Sequence, residues 1–135
     1  MSSLMKDGLV EQILSAAEEV HSTLGGPGLL ESIYETALCH ELSLRGITST
    51  RKIPIPVLYK GKPVREPLFL DILVENQIII EVKACERTYP FFQIQLQTYL
   101  RLTGMKLGLL INFGKEFLGD GICRLVNPNL QSGLR

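Results

Sequence analysis

Hydrophobic residues in the first third of the chain recur at helical spacing in two stretches. The first stretch runs from about Asp7 to Leu24, and the second runs from about Leu30 to Arg45. Apolar residues three and four positions apart share one face of a helix, so both stretches predict amphipathic helices. The glycine-rich loop Gly25–Gly28 follows the first stretch and Gly46 follows the second, and glycines are typical helix-ending residues. Two helices are therefore predicted ahead of any sheet.

The pattern then changes to one that is typical of strands. Residues from Thr50 to Tyr59 alternate between apolar and polar or proline positions, with prolines at Pro54 and Pro56. Proline cannot donate a backbone hydrogen bond to a neighbouring strand, so this segment predicts an edge strand. The segment Lys60–Pro63 contains glycine and proline and predicts the turn that follows.

Two apolar runs come next, Leu68–Val74 and Ile78–Lys83, with three polar residues between them, which predicts a hairpin. A helix from about Phe91 to Leu102 and an apolar strand from Lys106 to Phe113 follow, and Gly121–Val126 adds a short strand. A strand that follows a crossover helix is typically parallel to the strand before it. The order ααβββαβ therefore predicts an α/β fold with a mixed sheet flanked by helices.

The hairpin carries charges where a buried strand pair normally has none. A three-residue loop pairs Val74 with Ile78 and places Asp71 opposite Glu81. Opposed residues have Cβ atoms about 4.5–5.5 Å apart, and residues two apart share a face, so Lys83 joins Glu81. Two carboxylates and an ammonium are thus predicted on one face.

Opposed carboxylates repel each other, and burying an ionised carboxylate without a partner is unfavourable by several kcal/mol. A divalent cation between Asp71 and Glu81 would remove both penalties, and oxygen ligands suit Mg²⁺ or Mn²⁺. Lys83 could then hold a phosphate or accept a proton from water. The alternative is that Lys83 forms a structural ion pair with one of the two acids, and the hairpin by itself leaves both interpretations open.

Two further pairs of residues are candidates for the same site. Gln95 and Tyr99 are four apart in the third predicted helix, and Glu31 and Tyr34 are three apart near the start of the second, so each pair shares a helix face. Glutamine and tyrosine side chains can orient a phosphate or a water, and Glu31 would supply a third carboxylate. The alternatives are that Gln95 and Tyr99 are ordinary helix residues and that Glu31 only complements the helix dipole.

Composition limits the classes of function. The chain has 135 residues, 45% of them hydrophobic, which predicts one domain over residues 1–135 with about six loose residues at the N-terminus and about eight at the C-terminus. The 14 basic and 14 acidic side chains cancel, so phosphate contacts would need a local patch. Three scattered cysteines and the lack of a long apolar run predict a cytoplasmic protein with no membrane partner. Nucleophile-elbow, phosphate-loop and dinucleotide motifs are absent from the sequence.

These motifs together resemble a known family. The segment Gly28–Tyr34 matches the Gly-x-x-Glu-x-x-Tyr signature of the GxxExxY proteins, which are placed in the PD-(D/E)xK nuclease superfamily. Asp71 followed by Glu81-Val82-Lys83 resembles the acidic core of that superfamily, and Gln95–Tyr99 resembles the Gln-x-x-x-Tyr motif of RecB-type nucleases. The loop before the signature is one glycine longer than the family pattern. The three cysteines are fewer than the four that ligate an iron-sulfur cluster in some RecB-type relatives, so no cluster is expected.

The resemblance implies a restriction-endonuclease-like core and a metal-dependent nuclease that hydrolyses phosphodiester bonds, with DNA rather than RNA as the expected substrate. It implies Mg²⁺ or Mn²⁺ as cofactor, with these metal ligands: Glu31, Asp71, Glu81 and the backbone carbonyl of Val82. It further implies that Asp71, Glu81 and Lys83 are catalytic and that Gln95 and Tyr99 position the substrate phosphate. The other function kept open is a non-catalytic binding or regulatory protein with the same fold. A homodimer or a protein partner is a further expectation.

Overall fold

The structure is a computed structural model that describes residues 2–64 and 66–128, with side chains described from residue 8 onward. Its elements, in chain order, are α1 (Ser2–Thr23), α2 (Glu31–Leu44), β1 (Ser49–Ile55), β2 (Leu58–Tyr59), β3 (Lys62–Pro63), β4 (Leu68–Val74), β5 (Ile78–Lys83), α3 (Pro90–Thr103), β6 (Leu107–Asn112), a 3₁₀ turn (Leu118–Gly121) and β7 (Ile122–Val126). The predicted loose ends fall on residues whose placement or side chains lie outside the described part. Within that part, no helix is long and apolar enough to cross a membrane.

Five strands form a mixed sheet in the order β1-β4-β5-β6-β7. Strands β5 and β6 are parallel, with Ile80 beside Leu109, and the other neighbouring pairs are antiparallel. Helix α3 makes the crossover between the two parallel strands, as the sequence predicts. The α/β class and the mixed sheet flanked by helices are confirmed, and the arrangement is that of a restriction-endonuclease-like fold.

The helices cover both faces of this sheet. Helices α1 and α2 pack on one face, around a core that includes Ile13, Tyr34, Leu38, Ile72, Ile80 and Leu109. Helix α3 packs on the other, around a core that includes Leu70, Leu73, Ile79, Leu96 and Leu110. Strands that are buried on both faces read as continuous apolar runs, which explains the sequences of β5 and β6.

The proline-containing segment is an edge strand, as predicted, but it is shorter than predicted. Strand β1 ends at Ile55, and β2 and β3 form a separate two-stranded hairpin. The predicted turn Lys60–Pro63 is therefore reduced to Lys60 and Gly61, both of which have positive φ angles, 52° and 87°. Pro56 explains the early end of β1, because it has no N–H to continue the ladder.

Candidate active site

The hairpin of β4 and β5 has the predicted register, with Val74 paired to Ile78 and Ile72 to Ile80. At Asp71 and Glu81, next to the pair of Ile72 and Ile80, regular backbone pairing ends and the acidic side chains accept hydrogen bonds from the backbone. The Val82 N–H donates to Asp71 Oδ2 at 2.9 Å, and the Asp71 N–H donates to Glu81 Oε2 at 3.4 Å. Each carboxylate is thus held by backbone of the opposite strand, which brings Asp71 and Glu81 side by side.

Strand β4 is also distorted at Asp71. Leu70 packs in the core under α3, whereas Ile72 packs in the core under α1 and α2. Residues two apart in a regular strand face the same side, so β4 changes face at Asp71. On β1 the residue in register with Asp71 is Lys52, which has a φ of 55° and does not pair, although the neighbouring positions on both sides do. Regular backbone pairing is therefore interrupted on both sides of Asp71, toward β1 and toward β5.

The two hairpin acids lie in an environment that disfavours their charge. Glu81 is 3% exposed, and burial first, then the neighbouring Asp71 carboxylate, raises its pKa to about 8. Burial also raises the pKa of Asp71, against the lowering effect of its hydrogen bond from Val82. Without a cation the pair therefore tends to retain a proton near neutral pH, because the buried Glu81 does not ionise readily beside the half-buried Asp71 carboxyl.

Glu31 lies at the first position of α2, on the side of that helix that faces these acids. Partial burial first, then the Asp71 carboxylate, raises the pKa of Glu31, while the Lys83 ammonium lowers it. A helix dipole acting by itself would favour the ionised form, so the neighbouring acids and burial outweigh it. Of the three predicted carboxylates, Glu31 is the one that is exposed to solvent.

Tyr34 explains how the long glycine loop places Glu31. The Tyr34 hydroxyl donates to the Gly26 carbonyl oxygen at 2.7 Å and accepts from the Leu29 N–H at 3.2 Å. Its buried ring stacks on Phe113 with 4.8 Å between ring centroids. The tyrosine of the signature is therefore a core residue that fixes the loop immediately before Glu31.

Lys83 sits beside the acids without pairing to them. Its Nζ donates to Gln95 Oε1 at 3.2 Å and lies 4.6 Å from the centroid of the Phe92 ring. Within the part of the chain that the structure describes, no carboxylate lies within 4.0 Å of Lys83, which contradicts the alternative of a structural ion pair. The pKa of Tyr99, one helical turn after Gln95, is raised by burial first and then by Glu81. Lys83, Gln95 and Tyr99 thus lie on the same side of the acids as α3.

Glu35, one helical turn after Glu31, also faces the site and was not predicted from the sequence. Glu35 is 2% exposed, and its Oε2 lies 2.9 Å from Arg51 Nε and 3.5 Å from Lys52 Nζ. The spacing of four residues from Glu31 was the available signal, because it places both acids on the same face of α2. The pairing with β1 could not be foreseen, since it depends on how the helix packs.

A buried asparagine organises the loop that follows Lys83. Asn112 Oδ1 accepts from the N–H groups of Cys85 and Gly114 at 3.0 and 2.9 Å, and its Nδ2 donates to Thr88 Oγ1 at 2.9 Å. Asn112 is beside Lys83 in the parallel pair. Its side chain therefore ties the segment between β5 and α3 to the end of β6.

We expect Gly114→Ala to test this tie, because a Cβ at Gly114 would overlap the backbone of Cys85. The free energy of unfolding should fall by about 1–3 kcal/mol, as for other overpacked sites. Gly119→Ala is the matched control, since a Cβ there meets nothing within 4 Å, and its effect should stay within about 0.5 kcal/mol. Urea denaturation measures the stability of both variants. Equal unfolding midpoints would show that the loop accommodates the added methyl group without loss of stability.

The donor atoms of this site fit a hard divalent cation. Asp71 and Glu81 supply adjacent carboxylate oxygens whose pKa values are raised by burial first, and a cation would offset that loss of hydration. Among the described residues, there is no group of three or more histidine, cysteine or acidic side chains that could hold a metal ion as they are placed. Glu31 is thus within electrostatic reach of Asp71 but does not close a three-carboxylate cluster. Val82 contributes its N–H to Asp71, and the role of its carbonyl as a ligand stays a prediction.

Comparison with protein families now adds an independent observation. A family model described as the PD-(D/E)XK nuclease superfamily matches residues 7–125. The chain belongs to the PD-(D/E)XK nuclease superfamily. No curated protein and no solved structure gives a significant match to the chain. Nucleases of this superfamily typically use divalent metal ions, so the chain combines a nuclease-superfamily fold with an acidic pair that suits such an ion.

Proposed function

We propose that this superfamily member is a metal-dependent nuclease that hydrolyses phosphodiester bonds of DNA. The observation that carries the proposal is the contact between the half-buried Asp71 and the buried Glu81, whose carboxyl groups are adjacent and raised in pKa, with Lys83 beside them. A fold does not by itself determine an activity, so the argument depends on this site. Two adjacent carboxyls can both ionise at neutral pH only with a cation between them, and a bound cation is the simplest explanation for the pair.

Asp71 and Glu81 would hold the metal, with Glu31 and the Val82 carbonyl as further ligands. We favour Mg²⁺ or Mn²⁺ because every proposed donor is an oxygen atom. When bound, such an ion supplies activation of a water molecule and neutralises charge that develops on the reacting phosphate. Glu31 is the exposed member of the set, so it has the freedom to approach the other two carboxylates.

Lys83 would orient or deprotonate the attacking water. Its ammonium group is held between Gln95 Oε1 and the Phe92 ring, so its position is defined without neutralisation by a carboxylate. Gln95 and Tyr99 would position the substrate phosphate, and the hydrogen bond from Lys83 Nζ holds the Gln95 side chain in place. Preorganised groups of this kind act without rearrangement during the reaction.

More specific assignments belong to the same proposal. The signature residues Gly28, Glu31 and Tyr34 support membership of the GxxExxY proteins, and the hydrogen bond between Lys83 and Gln95 supports the RecB type. We further propose one cytoplasmic domain over residues 1–135. Because the net charge is zero, we expect modest affinity for nucleic acid or help from a protein partner or a second copy.

The test is a cleavage assay with labelled single- and double-stranded DNA and RNA, each with Mg²⁺, Mn²⁺ or EDTA. We expect cleavage of at least one DNA substrate with metal and none with EDTA. Circular single-stranded DNA separates internal cleavage from cleavage at an end. A folded protein that binds these nucleic acids without cleaving any would favour the alternative, a non-catalytic binding or regulatory role.

A further inference from the structure

Lys52 has a backbone conformation that is unusual for a strand residue. Its neighbours pair regularly, Arg51 with Ile72 and Ile53 with Leu70, yet Lys52 itself has a φ of 55° and does not pair with Asp71. A residue with a Cβ is disfavoured in this left-handed region, and such outliers gather at functional sites. The strand thus deviates at the one position of β1 that is in register with the Asp71 carboxylate.

The Lys52 side chain is held only weakly by the protein. It is 61% exposed, and its Nζ lies 3.5 Å from Glu35 Oε2, a longer separation than the 2.9 Å to Arg51. Arg51 therefore retains Glu35 in a charge-assisted hydrogen bond if Lys52 moves. Because Arg51 lies closer to Glu35 than Lys52 does, holding Glu35 in place does not account for the strained backbone of Lys52.

Lys52 is nevertheless part of the charge environment of the acids. Its ammonium lowers the pKa of both Asp71 and Glu31, as the Lys83 ammonium also does. The two lysines lie on β1 and β5, the two strands that flank β4, and neighbouring strands are about 4.8 Å apart. The acidic pair therefore has one lysine on each side, with strand backbones about 10 Å apart.

We propose that Lys52 is a further phosphate-binding residue, which contacts a phosphate of the nucleic acid next to the one that Gln95 and Tyr99 would position. This inference rests on the proposed nuclease function and deepens it. A chain with no net charge needs local cations to hold a polyanion, and an exposed ammonium beside the acids supplies one. Lys52 would turn from Glu35 to the phosphate while Arg51 keeps Glu35 paired.

The test compares Lys52→Gly with Lys60→Gly. Lys60 is a matched control because it is also an exposed lysine with a positive φ, 52°, but lies in the separate hairpin of β2 and β3 with its Nζ over Tyr59. Affinity for a labelled DNA oligonucleotide is measured by fluorescence anisotropy between 50 and 200 mM salt, with Ca²⁺ in place of Mg²⁺ and the probe checked for integrity. Thermal unfolding is followed in parallel.

Affinity falls as the salt concentration rises, and loss of one phosphate contact makes the slope of log affinity against log salt less steep by about 0.7–0.9. Over this range of salt, the affinity of wild type should therefore fall about threefold more than the affinity of Lys52→Gly. Lys52→Gly should keep the wild-type melting temperature. Lys52→Arg should show the wild-type slope. Lys60→Gly should match wild type. A lowered melting temperature with an unchanged slope would overturn the inference and make Lys52 a structural partner of Glu35.

The same data separate this inference from the proposed function. Metal-dependent cleavage by wild type, together with equal slopes for the two glycine variants, would overturn only the role of Lys52. A wild-type protein that neither binds nor cleaves nucleic acid would overturn the proposed function, and the phosphate contact with it.

Discussion

Lys83→Met should reduce metal-dependent phosphodiester cleavage by about 10²–10⁴-fold, the usual contribution of a positioned proton-transfer group. Methionine keeps an unbranched apolar stem that can pack on Phe92, so the loss is confined to the ammonium and its hydrogen bond to Gln95. The fold should therefore persist. The affinity for Mn²⁺ should be unchanged or slightly higher, since a cation has been removed from beside the acids.

Lys106→Met is the matched control for this experiment. Lys106 is exposed and directly precedes Leu107, which pairs with Ile78 at the end of β5 opposite to Lys83. Its substitution should leave the rate within about twofold of wild type, as for other surface changes away from the site. A Lys83→Met variant that cleaves as fast as this control would remove Lys83 from the reaction.

Glu81→Gln should make the metal-free protein more stable at pH 8 but not at pH 5. Glu81 has a folded-state pKa of about 8 against an ordinary value of 4.5, so between these values the folded state binds more protons than the unfolded state. The free energy of unfolding of wild type therefore falls as the pH rises through this range. Glutamine has no proton to lose, and its amide oxygen can still accept from the Asp71 N–H.

The difference should reach the order of a few kcal/mol at pH 8 and vanish toward pH 4.5. Urea denaturation of both proteins in EDTA at several pH values measures it, and Glu75→Gln, an exposed acid in the hairpin loop, is the control. Mn²⁺ should raise the stability of wild type at pH 8 and have little effect on Glu81→Gln. Parallel pH profiles of the free energy of unfolding for wild type and Glu81→Gln would mean that the pKa of Glu81 is not raised in the folded state.

Much of the fold follows from local sequence patterns. The register that pairs Val74 with Ile78 depends on loop length, and the continuous apolar runs of β5 and β6 reflect burial on both faces. Gly104 ends α3 in a left-handed conformation with a φ of 73°, which is the usual reason for a glycine at that position. Each of these features is encoded within a few neighbouring residues.

Features that depend on packing between distant segments were not predictable in this way. The contact of Glu35 with Arg51 joins α2 to β1, and the hydrogen bonds of Asn112 join β6 to the loop after β5. The change of face at Asp71 occurs without any glycine or proline beside it in β4 to mark it. Periodicity describes regular strands, so an interruption that adjacent strands share leaves no pattern in the sequence.

Binding of a divalent cation by Asp71 and Glu81 together can be measured by calorimetric titration of Mn²⁺. Wild type and Asp71→Asn are titrated at pH 7.5, since asparagine keeps an oxygen that can accept from the Val82 N–H. We expect wild type to bind Mn²⁺ with release of protons, because the acids are partly protonated without metal, and the variant to lose at least tenfold in affinity. Equal affinity in the two proteins would contradict the account.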